Sequence, residues 1–249
     1  MADIAQILSF VSGKGGVGKS SVASAIACAL AARGKRVLIL DMDIGLKSLE
    51  ALFGIGDSVV YNWGDVLEER CTLPSAVRSA RGADILPAPL RPASAFTPDR
   101  FRQMLAGCAP QYDFILLDAP SGLGKNIELS VCAATAAVIV ATPDRISASA
   151  AGECAVELAR LAVPTVRLAA NRFSARTVRR GYALNLDEMI DLCAARLIGV
   201  IPEDREFSLC ASNGLPFTRT EAFQAADRMA GRILGEEIPL KHLEKFGNN

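Results

Sequence analysis

The 249 residues are 51% hydrophobic, 22% charged and 6% aromatic, a globular balance that excludes intrinsic disorder and suits one large α/β domain or two small ones. Lys+Arg and Asp+Glu number 27 each, so the formal net charge is zero and there is no bulk positive field for coating nucleic acid. The 7 cysteines include no C-x-x-C pair, which argues for free buried thiols in a reducing compartment over a disulfide framework or a zinc site. The first residues lack a basic n-region, and no apolar run is long enough to span a membrane. The expectation is a soluble, cytoplasmic protein.

Apolar runs alternate with helical patterns along the chain. Residues 7–11 (ILSFV) read as a buried strand, and the Ala-rich stretch 19–32 as a helix stopped by Gly34. A second strand, 36–40, ends at Asp41. Residues 54–98 are less regular, with short helices and a strand expected at 83–86. Residues 114–117 (FILL) form a third buried strand ending at Asp118. The apolar region 129–141 divides into a helix end and a strand closed by Pro143. A helix over 144–161, strands at 165–170 and 197–201, and a last helix from Thr220 with a short tail complete the pattern. Strands that are apolar throughout must be covered on both faces. The expected fold is therefore α/β: a three-layer sandwich with a mostly parallel central sheet flanked by helices. No linker or repeat interrupts it, so the expectation is a single domain over 1–249 with a C-terminal tail at 238–249.

The strongest motif is SGKGGVGKS at 12–20, between the first strand and the first helix. Gly13, Gly18, Lys19 and Ser20 satisfy the phosphate-loop pattern G-x-x-x-x-G-K-[ST]. The backbone from Gly13 through Gly15, Gly16, Val17 and Gly18 to Ser21 is the expected cradle, because consecutive N–H groups at a helix N-terminus attract phosphate. Lys19 would reach the β- and γ-phosphates and Ser20 would coordinate Mg²⁺, with ATP or ADP as the ligand. An ordinary phosphate loop does not need a second lysine, Lys14, and on local chemistry alone it could equally be a solvated charge. Asp41 and Asp43 follow the second strand. Two residues apart, they would share a face and look into the phosphate crevice, where a carboxylate orients water or helps hold Mg²⁺. Asp118 closes an apolar strand, as does the second-strand acid of phosphate-loop enzymes, which binds Mg²⁺ through water. Asn171 ends another strand, and its carboxamide either caps a turn or reads the N6 and N7 edge of adenine.

KGGVGKS at 14–20, DMDIG at 41–45, Asn171-Arg172 and IGVIPED at 198–204 together resemble the ParA/MinD family of ATPases with a deviant phosphate loop, over nearly the whole chain. The resemblance implies a P-loop NTPase fold and slow, partner-stimulated ATP hydrolysis. It also implies an ATP-dependent homodimer in which Lys14 reaches the partner's phosphates. In the same way it assigns Asp43 to the attacking water, Asp41 to its support, Asn171 and Arg172 to the base, and Pro202, Glu203 and Asp204 to the adenine side. IGVIPED is close to the MinD subgroup. That implies placement of the division septum with a division inhibitor and an activating protein of the Min type, and argues against flagellar-number or chromosome-partition ATPases. An iron–sulfur protein on this fold would need a cysteine after Asp118 or a terminal C-x-x-C, and the chain has neither. MinD-like proteins usually read D-x-P-A-G after the strand acid. Ser121 replaces that alanine, a departure expected to alter hydrolysis rate, and the turn of Ser121 and Gly122 is expected to sense the γ-phosphate.

Two weaker features remain. Arg160, Arg167, Arg172, Arg176, Arg179 and Arg180 lie where no acid occurs between Glu157 and Asp187, and a solvated face is the better reading than a nucleic-acid patch. The tail places Leu240, Leu243 and Phe246 at i, i+3 and i+6 beside Lys241 and Lys245. By resemblance it would be a short amphipathic anchor on the inner face of the membrane.

Overall fold

The computed structural model describes residues 5–122, 124, 127–240, 243 and 246. Lys241, His242, Glu244, Lys245 and Asn249, part of the expected tail helix, lie outside the described residues. The centre is an eight-stranded sheet of order β3-β4-β2-β5-β1-β6-β7-β8. Its strands are β1 (Gln6–Ser12), β2 (Val37–Asp41), β3 (Arg78–Ala80), β4 (Ala83–Leu86), β5 (Phe114–Ser121), β6 (Ala136–Ala141), β7 (Val166–Phe173) and β8 (Arg196–Pro202). Every pairing is parallel except β3 with β4. The expected sheet is present, and β5 and β7 run further than their apolar cores, because paired backbone rather than hydropathy sets where a strand ends.

Side-chain alternation divides each strand between two helix layers. Leu8, Phe10, Ile39 and Leu116 face α1 (Lys19–Ala32), α2 (Ser48–Phe53), α10 (Arg205–Ser212) and α11 (Glu221–Ile233). On the other face, Leu38, Leu40, Ile115 and Leu117 meet α3 (Trp63–Leu67), α4 (Leu73–Ala76) and α5 (Pro98–Cys108). Further along that face, Val11, Ile139, Leu168 and Val200 meet α6 (Ile127–Val131), α7 (Arg145–Arg160), α8 (Ala175–Arg179) and α9 (Leu186–Cys193). Helix α1 is buried from Val22 to Leu30, which explains its alanines: small side chains let it lie between the sheet and α11. Of the seven cysteines, all free, Cys28, Cys108, Cys154 and Cys193 are buried, and burial raises their thiol pKa values to about 11 or 12.

The tail departs from expectation. Phe246 is 4% exposed and belongs to the core beneath α7 and β7, with Leu243 packed against the same cluster. The Phe246 carbonyl accepts the Ala175 N–H at 2.9 Å. Of the three apolar residues expected to face a membrane, Phe246 is thus buried in the protein and Leu243 is partly buried against the same core. Only Leu240 is exposed, at 43%. Among the described residues no helix is long and apolar enough to cross a membrane.

Candidate nucleotide site

Strand β1 lies between β5 and β6, neither of them its neighbour in sequence, and the loop that leaves it opens α1. A crevice at the carboxyl ends of such strands is where α/β sheets bind ligands. A cavity of about 390 Å³ occupies it, walled by Gly16 to Ser21, with Asp43, Ser121 and Arg172 at its sides. Two glycines are fixed by geometry. A Cβ on Gly13 would stand 2.2 Å from the Ala150 carbonyl oxygen of α7, so the loop can start there only without a side chain. Gly18, the N-cap of α1, has φ +86°, and a Cβ there would stand 2.4 Å from Asn171 Nδ2.

Lys19 and Asp118 meet beneath the loop, with Nζ 2.6 Å from Oδ1 and both side chains buried. The second Asp118 oxygen, Oδ2, is buried and has no hydrogen-bond partner among the described residues. A buried carboxylate oxygen in that condition suits a hydrated cation. With the Ser20 hydroxyl it forms a hard oxygen set of the kind Mg²⁺ uses beside substrate phosphates.

Asp41, the last residue of β2, and Asp43 beyond it do not share a face, contrary to the expectation from their spacing. β2 ends at Asp41, so the alternation stops before Asp43. Asp41 is fully buried; its Oδ1 accepts the Asp43 N–H at 2.9 Å and its Oδ2 accepts the Leu49 N–H at 3.1 Å. It shapes the loop rather than reaching the cavity. Burial, with the Asp118 charge behind it, pushes its pKa up to about 7 against the pull of those two N–H groups and Lys19. Asp43 lines the cavity, and partial burial raises its pKa while the Lys19 charge opposes the shift.

Lys14 does not line this cavity. Its Nζ lies 3.5 Å from Asp144 Oδ1 at a half-exposed position, in an adjoining groove that includes Arg172 and Tyr182. Asp144 also caps α7, accepting from Ser147 N at 2.9 Å and from Thr142 Oγ1 at 2.6 Å. Nothing in the sequence marks a partner for Lys14 at that distance along the chain.

The residues expected around the base differ in how they are held. Asn171 is 5% exposed and donates from Nδ2 to the Val17 carbonyl at 2.7 Å, so it grips the back of the phosphate loop with one of its two amide hydrogens. Arg172 does line the cavity. Pro202, Glu203 and Asp204 do not. Both carboxylate oxygens of Asp204 are committed to backbone: Oδ1 accepts from Phe207 N at 2.9 Å and Oδ2 from Ala222 N at 3.0 Å, tying the starts of α10 and α11 together. Asp is a favoured N-cap residue, and Asp204 stands directly before α10. Leu46, Ser48 and Leu52 line the cavity without a motif to announce them. They come with the loop that Asp41 folds.

Against known proteins, residues 8–217 match the CobQ/CobB/MinD/ParA nucleotide binding domain. The chain belongs to the MinD/ParA family. The septum site-determining protein MinD of Bacillus subtilis is 31% identical in an alignment of length 244 that covers 94% of this chain and 91% of that protein. MinD in the MinC:MinD cell division protein complex of Aquifex aeolicus superposes with a TM-score of 0.87 at 32% identity, over 96% of this chain and 99% of that one. MinD of Pyrococcus horikoshii, solved complexed with Mg-ADP, shares the fold with a TM-score of 0.82 at 24% identity, over 94% of this chain and 100% of that one. The MinD/ParA fold thus accounts for a nearly complete sheet and for the phosphate loop at its centre.

Proposed function

We propose that this chain is an ATP-hydrolysing switch that forms a homodimer with ATP and helps place the division septum, with Min-type inhibitor and activator proteins as partners. The position of Lys14 carries the reading. A lysine inside a phosphate loop that stands outside its own cavity, with a half-exposed contact to Asp144, is free to serve another chain's phosphates. The MinC:MinD complex of the Aquifex relative supports a Min-type partner.

Within one site, Lys19 offsets the β- and γ-phosphate charge, and its bond to Asp118 gives way to the phosphates. Ser20 directly, and Asp118 through water, would hold Mg²⁺, which when bound would offset charge on the β- and γ-phosphates. Asp43 orients the attacking water. Asp41 holds the loop that carries Asp43. Arg172 and the Asn171 carboxamide serve the base. Contact with the inner membrane face belongs to the same reading, and it requires Leu243 and Phe246 to leave the interior. Phosphate release from ATP, measured together with dimer mass in ATP and in ADP, tests the reading. Turnover with an ATP-specific dimer supports it, and a monomer in both nucleotides contradicts it.

A further inference from the structure

The carboxyl ends of β1 and β5 carry two serines that the mechanism above does not use. Ser12 and Ser121 are register partners across the β1–β5 ladder, just past an irregularity between Phe10 and Ser12. Both line the cavity that Lys19, Ser20 and Asp43 line. Ser12 is 2% exposed, and its hydroxyl is buried with no hydrogen-bond partner among the described residues. A buried hydroxyl left in that condition is unfavourable, and here it belongs to the wall of a site built for an oxygen-rich ligand. Ser121 is exposed at the last position of β5. Its Oγ lies 3.6 Å from where a Cβ on Gly15 would sit, which sets the hydroxyl against the phosphate loop.

The backbone beside it is already committed. The Gly122 N–H donates to the Ser12 carbonyl at 2.8 Å, which fastens the turn after Asp118 to the root of the phosphate loop. That bond occupies the Gly122 amide, so in the turn of Ser121 and Gly122, expected to sense the γ-phosphate, the exposed Ser121 hydroxyl is the remaining donor.

We propose that the Ser121 hydroxyl donates a hydrogen bond to an oxygen of the terminal phosphate of bound ATP, and that the Ser12 hydroxyl beside it completes a two-hydroxyl notch for that phosphate. The inference rests on the ATPase reading and sharpens it. A donor aimed at the γ-phosphate has a partner in ATP and none in ADP, so the notch discriminates between the two. As charge shifts among the phosphate oxygens during transfer, the same donor stabilises the transition state. Ser121 is then a catalytic residue, and Ser12 positions the phosphate beside it.

The test compares wild type, Ser121→Ala, Ser121→Thr and Ser12→Ala in affinity for ADP, in affinity for a non-hydrolysable ATP analogue, and in turnover, all with Mg²⁺. Ser121→Ala is expected to weaken the analogue by roughly tenfold or more, the worth of one hydrogen bond to a charged group, and to leave ADP unchanged. Turnover should fall with it, and Ser121→Thr, which keeps the hydroxyl, should restore both. Ser12→Ala should lower the same affinity ratio. Should its buried position prevent folding, the exposed Ser121 variants carry the test. An unchanged ratio and turnover in Ser121→Ala overturn the notch while leaving the ATPase reading intact. A wild type that binds neither nucleotide overturns both.

Discussion

Lys19 Nζ and Asp118 Oδ1 stand 2.6 Å apart in a buried pair at the root of the phosphate loop. The lysine that would meet the phosphates is thus pre-placed by the acid that would hold Mg²⁺. Removing one partner of a buried pair leaves an uncompensated charge, which costs about 3–5 kcal/mol. Lys19→Ala should therefore abolish tight ATP binding and also lower stability by about 3 kcal/mol. Urea unfolding and nucleotide titration check the two effects separately.

Asn171 should prove to be a clamp as much as a base contact. Its bond to the Val17 carbonyl fixes the loop one residue before Gly18. Asn171→Ala should weaken ADP and ATP alike by roughly tenfold, because it loosens the cradle under phosphates common to both. Gly18→Ala meets a harder obstacle: φ is +86° and the new methyl would overlap the Asn171 amide. It should lose nucleotide binding and about 1–3 kcal/mol of stability. Binding titrations of the two variants, with melting curves, decide the matter.

Asp41 makes stability depend on pH. Its carboxyl is raised from 3.8 to about 7, so the folded protein holds that proton more tightly than the unfolded chain. The sign follows. The associated stabilisation is complete below pH 3.8 and is lost as pH rises through about 7. Asp41→Asn lacks this titration and gives up one of the two N–H acceptors at every pH. The variant's deficit against wild type should accordingly be larger at pH 5 than at pH 8 in urea unfolding.

The tail should behave as part of the fold. Removal of residues 239–249 strips Phe246 from the core beside α8 and deprives the Ala175 N–H of its acceptor. The truncated protein should melt at a lower temperature, a loss that a tail standing free in solvent would not cause. Sedimentation with anionic liposomes in ATP and in ADP then shows whether the segment also leaves the core for a membrane. Full binding by the truncated protein would mean that the tail is not the anchor.

Much of this was legible in the sequence because the parts that position the site are made of strong local signals. Helix α1 runs from Lys19 to Ala32 as its alanines and Gly34 indicate, and β4 occupies Ala83–Leu86 as expected. The antiparallel edge strand β3 is three partly exposed residues with no apolar pattern, so nothing marked it. Helix α5 carries local signals of its own: Thr97 caps it, Pro98 opens it, and Phe101, Leu105 and Cys108 lie on its buried face. The difference between Asp41 and Asp43 was beyond local reading, since it depends on where pairing with β5 stops. The same holds for Asp204, whose second oxygen is claimed by the start of α11, 18 residues away.

The Asp43 carboxylate lines the cavity, and among the described residues it accepts no hydrogen bond that would give it a structural role, so its loss should be felt in chemistry alone. Asp43→Ala should bind ATP and dimerise while losing turnover by roughly a hundredfold, in the range of one acid–base or water-orienting group. Rapid-quench hydrolysis with parallel nucleotide titration checks this.

The central claim is that Lys14 works on a partner's phosphates, and mixing two inactive proteins measures it. Lys14→Ala and Asp43→Ala are each expected to be inactive alone. In a mixed dimer, the Lys14→Ala chain keeps its own Asp43 and receives Lys14 from its partner, which makes one complete site. Phosphate release from the equimolar mixture with ATP and Mg²⁺ should therefore recover to a fraction of wild type, while each protein alone stays silent. The dimer mass of the same mixture, determined in parallel, shows that mixed dimers exist. Mixed dimers that form and remain inactive would contradict the account, because they would place Lys14 within its own chain.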